Sequence, residues 1–147
     1  MSQQGSISLK RNHFNPLGTG DGASAYDNIK DTAEGKQAKL SSYCCSVGCA
    51  PGGHICLTSS MLKSLYTYAT QFWSTNSKPL QVSSLAGSCH STTSHHYEGN
   101  TWDVACTSPL NHCSALIRHC MSENPVEICY PGGPCRGHAT WVHCVHP

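Results

Sequence analysis

His90-Ser91-Thr92-Thr93-Ser94-His95-His96-Tyr97-Glu98-Gly99-Asn100-Thr101-Trp102-Asp103-Val104 is a histidine-rich loop running into a short apolar strand that contains one carboxylate. Asp103 is the only aspartate after Asp31. A carboxylate set between Trp102 and Val104 is costly to bury unless it meets a cation or several hydrogen-bond donors. His96 stands just before the Glu98-Gly99 turn. A loop-borne histidine and a strand-borne aspartate can converge on one ion if a further ligand arrives from a neighbouring strand. Thr140-Trp141-Val142-His143-Cys144 supplies it in His143. Two imidazole nitrogens and one carboxylate oxygen, with a fourth position open, are a zinc ligand set of the catalytic type. Calcium and magnesium prefer all-oxygen shells. On spacing alone, His96, Asp103 and His143 also read as hydrogen-bonded polar side chains of a disulfide-rich domain.

Outward from this stretch the chain alternates helices and strands. Thr58-Ser59-Ser60 offers caps for a helix running to about Trp73. Met61, Leu62, Leu65, Ala69 and Phe72 form one apolar stripe on it, which reads as core. Pro79–Leu85 and Thr101–Cys106 read as short strands. Pro109–Met121 reads as a second helix, with Leu110, Cys113, Leu116, Ile117 and Cys120 on its buried side, stopped at Glu123-Asn124-Pro125. Val126–Tyr130 and Ala139–Val145 read as strands joined by the turn-rich PGGPCRG, an antiparallel hairpin. This order predicts an α+β domain, an antiparallel sheet with two packed helices.

The 147 residues suit a domain of ordinary size with some spare length. A net charge of +1 excludes the strongly basic surface that nucleic acid requires. No apolar run approaches the ~18 residues needed to span a bilayer. Eleven cysteines argue against a reducing compartment and for a secreted, extracellular protein. The first residues, MSQQGSISLKRN, lack the apolar core of a signal peptide, so secretion implies that the signal has been removed. Because eleven is odd, five disulfides with one cysteine left over are expected.

Residues 1–42 contain no cysteine and more than half of the charged residues, with few large apolar groups, among them Leu9, Phe14 and Leu17. They read as an extended polar arm preceding a disulfide-rich domain at 43–147. Such an arm can fold back across its own domain or add to a neighbouring subunit, giving self-association. Cys44, Cys45, Cys49 and Cys56 cluster in a Gly/Pro-rich stretch that reads as a disulfide staple, with a zinc knuckle as the alternative.

HSTTSHHYEGNTWDV resembles the HSxxSxHYEGxAxDI signature of the hedgehog amino-terminal signalling domain, and TWVHCV is similar to the strand that closes the same metal site there. The wider pattern is Ser94-x-His96-x2-Gly99-x3-Asp103, followed by Trp141-x-His143. It is shared with zinc D-Ala-D-Ala carboxypeptidases and related cell-wall endopeptidases. The resemblance spans about residues 58–146. It implies a hedgehog/peptidase-like fold, Zn2+ as cofactor, and His96, Asp103 and His143 as its ligands. His90 matches a histidine that lines the metal cleft.

The peptidases carry a carboxylate three residues before the last histidine as general base, and here that position is Thr140. Hedgehog has a glutamate slightly further upstream, where this chain reads Arg136-Gly137-His138. A missing proton acceptor costs ~10²–10⁴ in rate. His90 and His138 are the candidate catalytic substitutes, with Glu127 on the neighbouring strand behind them. His95, His112, His119 and His146 are expected to be solvated. Cys144 should face away from the metal as a disulfide partner. The resulting expectation is a secreted zinc-binding domain, non-catalytic or weakly catalytic, that binds a peptide, glycan or protein ligand. The alternatives are a zinc metallopeptidase acting on cell-wall-type peptides, and a structural subunit of an oligomer or filament joined through residues 1–42.

Overall fold

The N-terminal segment folds against its own chain. Ile7–Leu9 (β1) lies parallel to Leu80–Ser84 (β6), Ile7 opposite Leu80 and Leu9 opposite Val82. Ser24 then starts Ala25–Ala33 (α1) through a capping box: its hydroxyl accepts the Asp27 N–H, and the Asp27 carboxylate accepts the Ser24 N–H. Buried Asn28 ties α1 to the rest, donating to the Lys39 carbonyl and accepting the Ala86 N–H. Ala38–Lys39 (β2) pairs with His54–Ile55 (β5), and Cys44–Cys45 (β3) with Gly48–Cys49 (β4). The computed structural model describes residues 5–11, 17–109, 111–135 and 137–147. Phe14, Leu110 and Arg136, named above, lie outside them.

Thr58 caps Ser59–Asn76 (α2), its hydroxyl accepting the Met61 N–H. The apolar stripe faces inward as expected, with Met61, Leu65, Ala69 and Phe72 buried. Each such large side chain contributes roughly 1.5–3 kcal/mol by leaving water. Cys113–Ser122 (α3) adds Leu116 and Cys120. The helices pack on a five-stranded sheet ordered β1-β6-β7-β9-β8, in which β7 is Thr101–Ala105, β8 Glu127–Cys129 and β9 Trp141–Val145.

The sheet is mixed, not wholly antiparallel, because β1 joins β6 in parallel; the other pairings are antiparallel. A third helix, α1, joins the two expected. The central register decides what each face carries. Trp102 sits opposite Cys144 and Val104 opposite Val142, and these four point at the helices, with the Trp102 indole N–H donating to Ser64 Oγ on α2. Alternation then sends Asp103 and His143, also directly opposed, to the other face.

Five disulfides link Cys44–Cys49, Cys45–Cys89, Cys106–Cys113, Cys120–Cys144 and Cys129–Cys135. Cys56 is unpaired and exposed. Cys44, Cys45 and Cys49 therefore form a staple in which Cys56, expected with them, takes no part, and Cys144 holds β9 to α3. No helix among the described residues is long and apolar enough to cross a membrane.

Three histidines expected in solvent are packed. His112 packs tilted against Phe72, with ring centroids 4.3 Å apart, and meets the Tyr68 hydroxyl at 3.0 Å. His119 lies against Ser64 and Tyr68, and His146 is 2% exposed against Trp102. Their partners come from α2 and β7, far away in sequence. The half-exposed His95 pairs with Glu98.

Candidate metal centre

His96 is held by a short 3-10 turn, His95–Glu98. Ser94 Oγ accepts the His96 N–H at 3.2 Å, and the Gly99 N–H donates to the His96 carbonyl at 3.2 Å, so both ends of the turn are tied. Gly99 is required there. Its φ is +76°, and a Cβ would stand 2.3 Å from the Cys56 carbonyl oxygen. The turn drives the His96 ring under the sheet, where Nδ1–H donates to the Leu85 carbonyl beyond β6.

That hydrogen bond places a proton on Nδ1, so in the neutral ring Nε2 is the bare lone pair. Nε2 is buried with no hydrogen-bond partner, although it lies 3.1 Å from Asp103 Oδ2. In that neutral state two acceptors face each other, and a proton or a cation is needed to join them. Across the strand pair, His143 Nδ1 is 2.9 Å from Asp103 Oδ1, while His143 Nε2 is 2.9 Å from Glu127 Oε1 on β8. If Nε2–H donates to Glu127, then Nδ1 also turns a lone pair toward Asp103. Each histidine thus has an outer acceptor for one ring N–H, the device that fixes the tautomer of metal-binding imidazoles.

The ligand atoms of His96, Asp103 and His143 all lie within 4.8 Å of one another. Tetrahedral zinc with bonds near 2.0–2.1 Å needs its ligand atoms about 3.3 Å apart, so small side-chain adjustments suffice. The trio is almost fully buried, at 1%, 6% and 7% exposure.

Electrostatics follow from this crowding. Burial alone would raise the Asp103 pKa, but the neighbouring His96 and the hydrogen-bonded His143 outweigh it and hold the carboxyl below its usual range. Burial pushes His143 down, and the hydrogen bonds and charges of Asp103 and Glu127 more than reverse this, leaving it above its ordinary value. His90 stacks on His96 with ring centroids 3.9 Å apart. Its burial and the neighbouring His96 depress it to about 3, so it is neutral near pH 7. His90 Nε2 meets the Gly87 carbonyl at 2.9 Å. His138 lies at the other edge, 5.5 Å from the His143 ring and 5.0 Å from that of Trp141.

The structure thus brings His96, Asp103 and His143 together, with His90 and His138 flanking them. Glu127 is the residue whose part was underrated. Its signal was the β8–β9 hairpin: Cys129 opposes His143, so Glu127, two residues away, shares that face. Thr140 is exposed and supplies no carboxylate. Comparison with protein-family models, with characterised proteins and with solved structures finds no match.

Proposed function

We propose that the chain is an extracellular zinc-binding domain of the hedgehog/D-Ala-D-Ala-peptidase type that serves as a binding module, with little or no catalysis. One observation carries the zinc reading: the buried, unpartnered Nε2 of His96 faces the Asp103 carboxylate beside His143. A cation joining three such donors removes the repulsion between them. Zinc bound there supplies a Lewis-acid centre with a position left for a ligand atom from a peptide, glycan or protein partner. His96, Asp103 and His143 would hold the ion, Glu127 and the Leu85 carbonyl orient the two rings, and His90 and His138 border the approach.

Catalysis is disfavoured by where the carboxylates lie. Asp103 is spent as a ligand, and Glu127 contacts His143 on the ring edge opposite Asp103. Proton acceptance would fall to His90 or His138. Five disulfides support an oxidising, extracellular setting. The reading in which residues 1–42 join copies into a filament gains no support, since β1 is paired within its own chain.

Calorimetric titration of chelator-stripped protein with Zn2+ tests the reading. A single site per chain that Asp103→Asn removes is expected, with no zinc-dependent hydrolysis of a D-Ala-D-Ala-terminated peptide. Turnover that zinc restores and Asp103→Asn abolishes would replace the binding role with a peptidase. No zinc uptake would overturn both.

A further inference from the structure

Asp103, His143 and Cys129 form one cross-strand row over β7, β9 and β8. The His143 ring stands between two carboxylates, Asp103 at Nδ1 and Glu127 at Nε2. On the β8 side, one ligand atom from each of Glu127, Cys129 and His143 lies within 4.8 Å of the other two. The Cys129 sulfur is engaged in a disulfide with Cys135, in the turn between β8 and β9, and so has no thiolate to offer. We propose that Glu127, Cys129 and His143 form a second metal site, closed by the Cys129–Cys135 disulfide and opened by a thiol reductant.

Thiolate, imidazole and carboxylate together suit a borderline-soft divalent ion such as zinc or cadmium, and not calcium or magnesium. Opening the site is thiol–disulfide exchange. A reductant thiolate attacks Cys135 Sγ, the half-buried sulfur, and expels the Cys129 thiolate from its 4%-exposed position. A second reductant thiol resolves the mixed disulfide. Two reductant thiols leave as their own disulfide, and Cys129 and Cys135 are both reduced. Metal binding then releases to solvent the proton of the Cys129 thiol and the proton His143 Nε2 shares with Glu127. The disulfide spans a sequence separation of only 6, so its opening frees a local turn.

This site rests on its own geometry and not on the zinc centre proposed above. The two share His143 as a ligand, and Glu127, which orients that ring in the first, is a ligand in the second. The test uses Cd2+ as probe in a Cys56→Ser background, which removes the exposed free thiol. Cys135→Ser leaves Cys129 as a thiol in place without any reductant. It should give an ultraviolet cadmium–thiolate charge-transfer band that saturates at one ion per chain. Cys129→Ser frees Cys135 instead and should give no saturable band. Adding Glu127→Gln to Cys135→Ser should weaken cadmium at least about tenfold. The Cys56→Ser protein partly reduced with a dithiol checks the result without disturbing this pair. The same band should appear in step with opening of Cys129–Cys135, followed by mass spectrometry after alkylation. Equal bands from both serine variants, or no band once Cys129–Cys135 is open in protein with native circular dichroism, would overturn the proposal. Zinc uptake by the fully oxidised chain reports separately on the first centre.

Discussion

Each face of the sheet gathers histidines around a carboxylate, and the two clusters are built on different rules. On the helix face, Glu123 accepts a hydrogen bond from the Ser64 hydroxyl, lies 3.5 Å from His119 Nε2 and 3.3 Å from His146 Nε2, and Ser64 Oγ accepts the Trp102 indole N–H. Donors and acceptors alternate there, so the network is satisfied by protons. On the loop face, two imidazole nitrogens converge on Asp103, and His96 Nε2 has no hydrogen-bond partner. Among the described residues, only groups on this second face have donor atoms close enough to share an ion. Histidine beside carboxylate therefore does not by itself make a metal site. The tautomer set by the outer hydrogen bonds decides, and a satisfied network is structure while an orphaned lone pair is an invitation to a cation.

Removing a loop-face ligand should produce the largest effect. A ligand that binds only the folded state stabilises it by about 4 kcal/mol at a thousandfold excess over its Kd. Thermal unfolding should shift upward with Zn2+ in the native sequence and not in His96→Ala. An equal zinc-induced shift in that variant would break the distinction between the faces.

The helix-face counterpart is Ser64→Ala, which leaves the Trp102 N–H and the Glu123 carboxylate short of a partner in a site where Ser64 is 1% exposed. Urea unfolding should show a loss of about 1–3 kcal/mol with zinc affinity unchanged. A large change in zinc affinity would mean that the faces are coupled through β7.

Much of this division was legible in the chain, and the reasons for the gaps are physical. The α2 stripe and the alternation of Trp102, Asp103 and Val104 are strong local signals, because period and burial coincide there. The fate of Cys144 followed from the same alternation, given that His143 faces the other way. β1 and α1 were missed because Ile7 and Leu9 lie in a polar, charged segment. The Ser24-x-x-Asp27 capping box had no long apolar stripe after it. His112, His119 and His146 were misjudged because their packing partners, Tyr68, Phe72, Ser64 and Trp102, arrive through tertiary contacts that no local pattern encodes. The trio His96, Asp103 and His143 was found through resemblance more than through spacing. The importance of Glu127 needed the strand register.

Glu127 offers a finer test on the loop face, since it supports His143 without belonging to the trio around Asp103. Glu127→Gln keeps the shape of the side chain but weakens acceptance of the Nε2 proton. Zinc affinity should fall about tenfold to a hundredfold, against complete loss in Asp103→Asn. Unchanged affinity would show that the Asp103–His143 pair needs no outer partner. The folded protein should be stable either way, because the Glu127 side chain is 47% exposed.

The smallest effect concerns proton uptake by metal-free protein, where the two loop-face imidazoles pull in opposite directions. His143 is raised in the fold, so its stabilisation is complete below its unfolded value near 6.5 and fades as pH rises through its folded value. His90 is depressed to about 3, so the unfolded chain binds more protons between about 3 and 6.5. Its contribution is complete above that window and is lost as pH falls through it. Replacing His90 with phenylalanine keeps a ring against His96 and removes the titration. The variant starts from a lower baseline, because the contact to the Gly87 carbonyl is gone, so the slope of stability against pH is the quantity to compare. Chelator-treated His90→Phe should lose stability less steeply between about pH 6.5 and 4.5 than the native sequence, by at most about 1.4 kcal/mol per pH unit. Parallel slopes in urea unfolding would mean that His90 opens to water before it titrates, and that the stacked pair moves apart in acid.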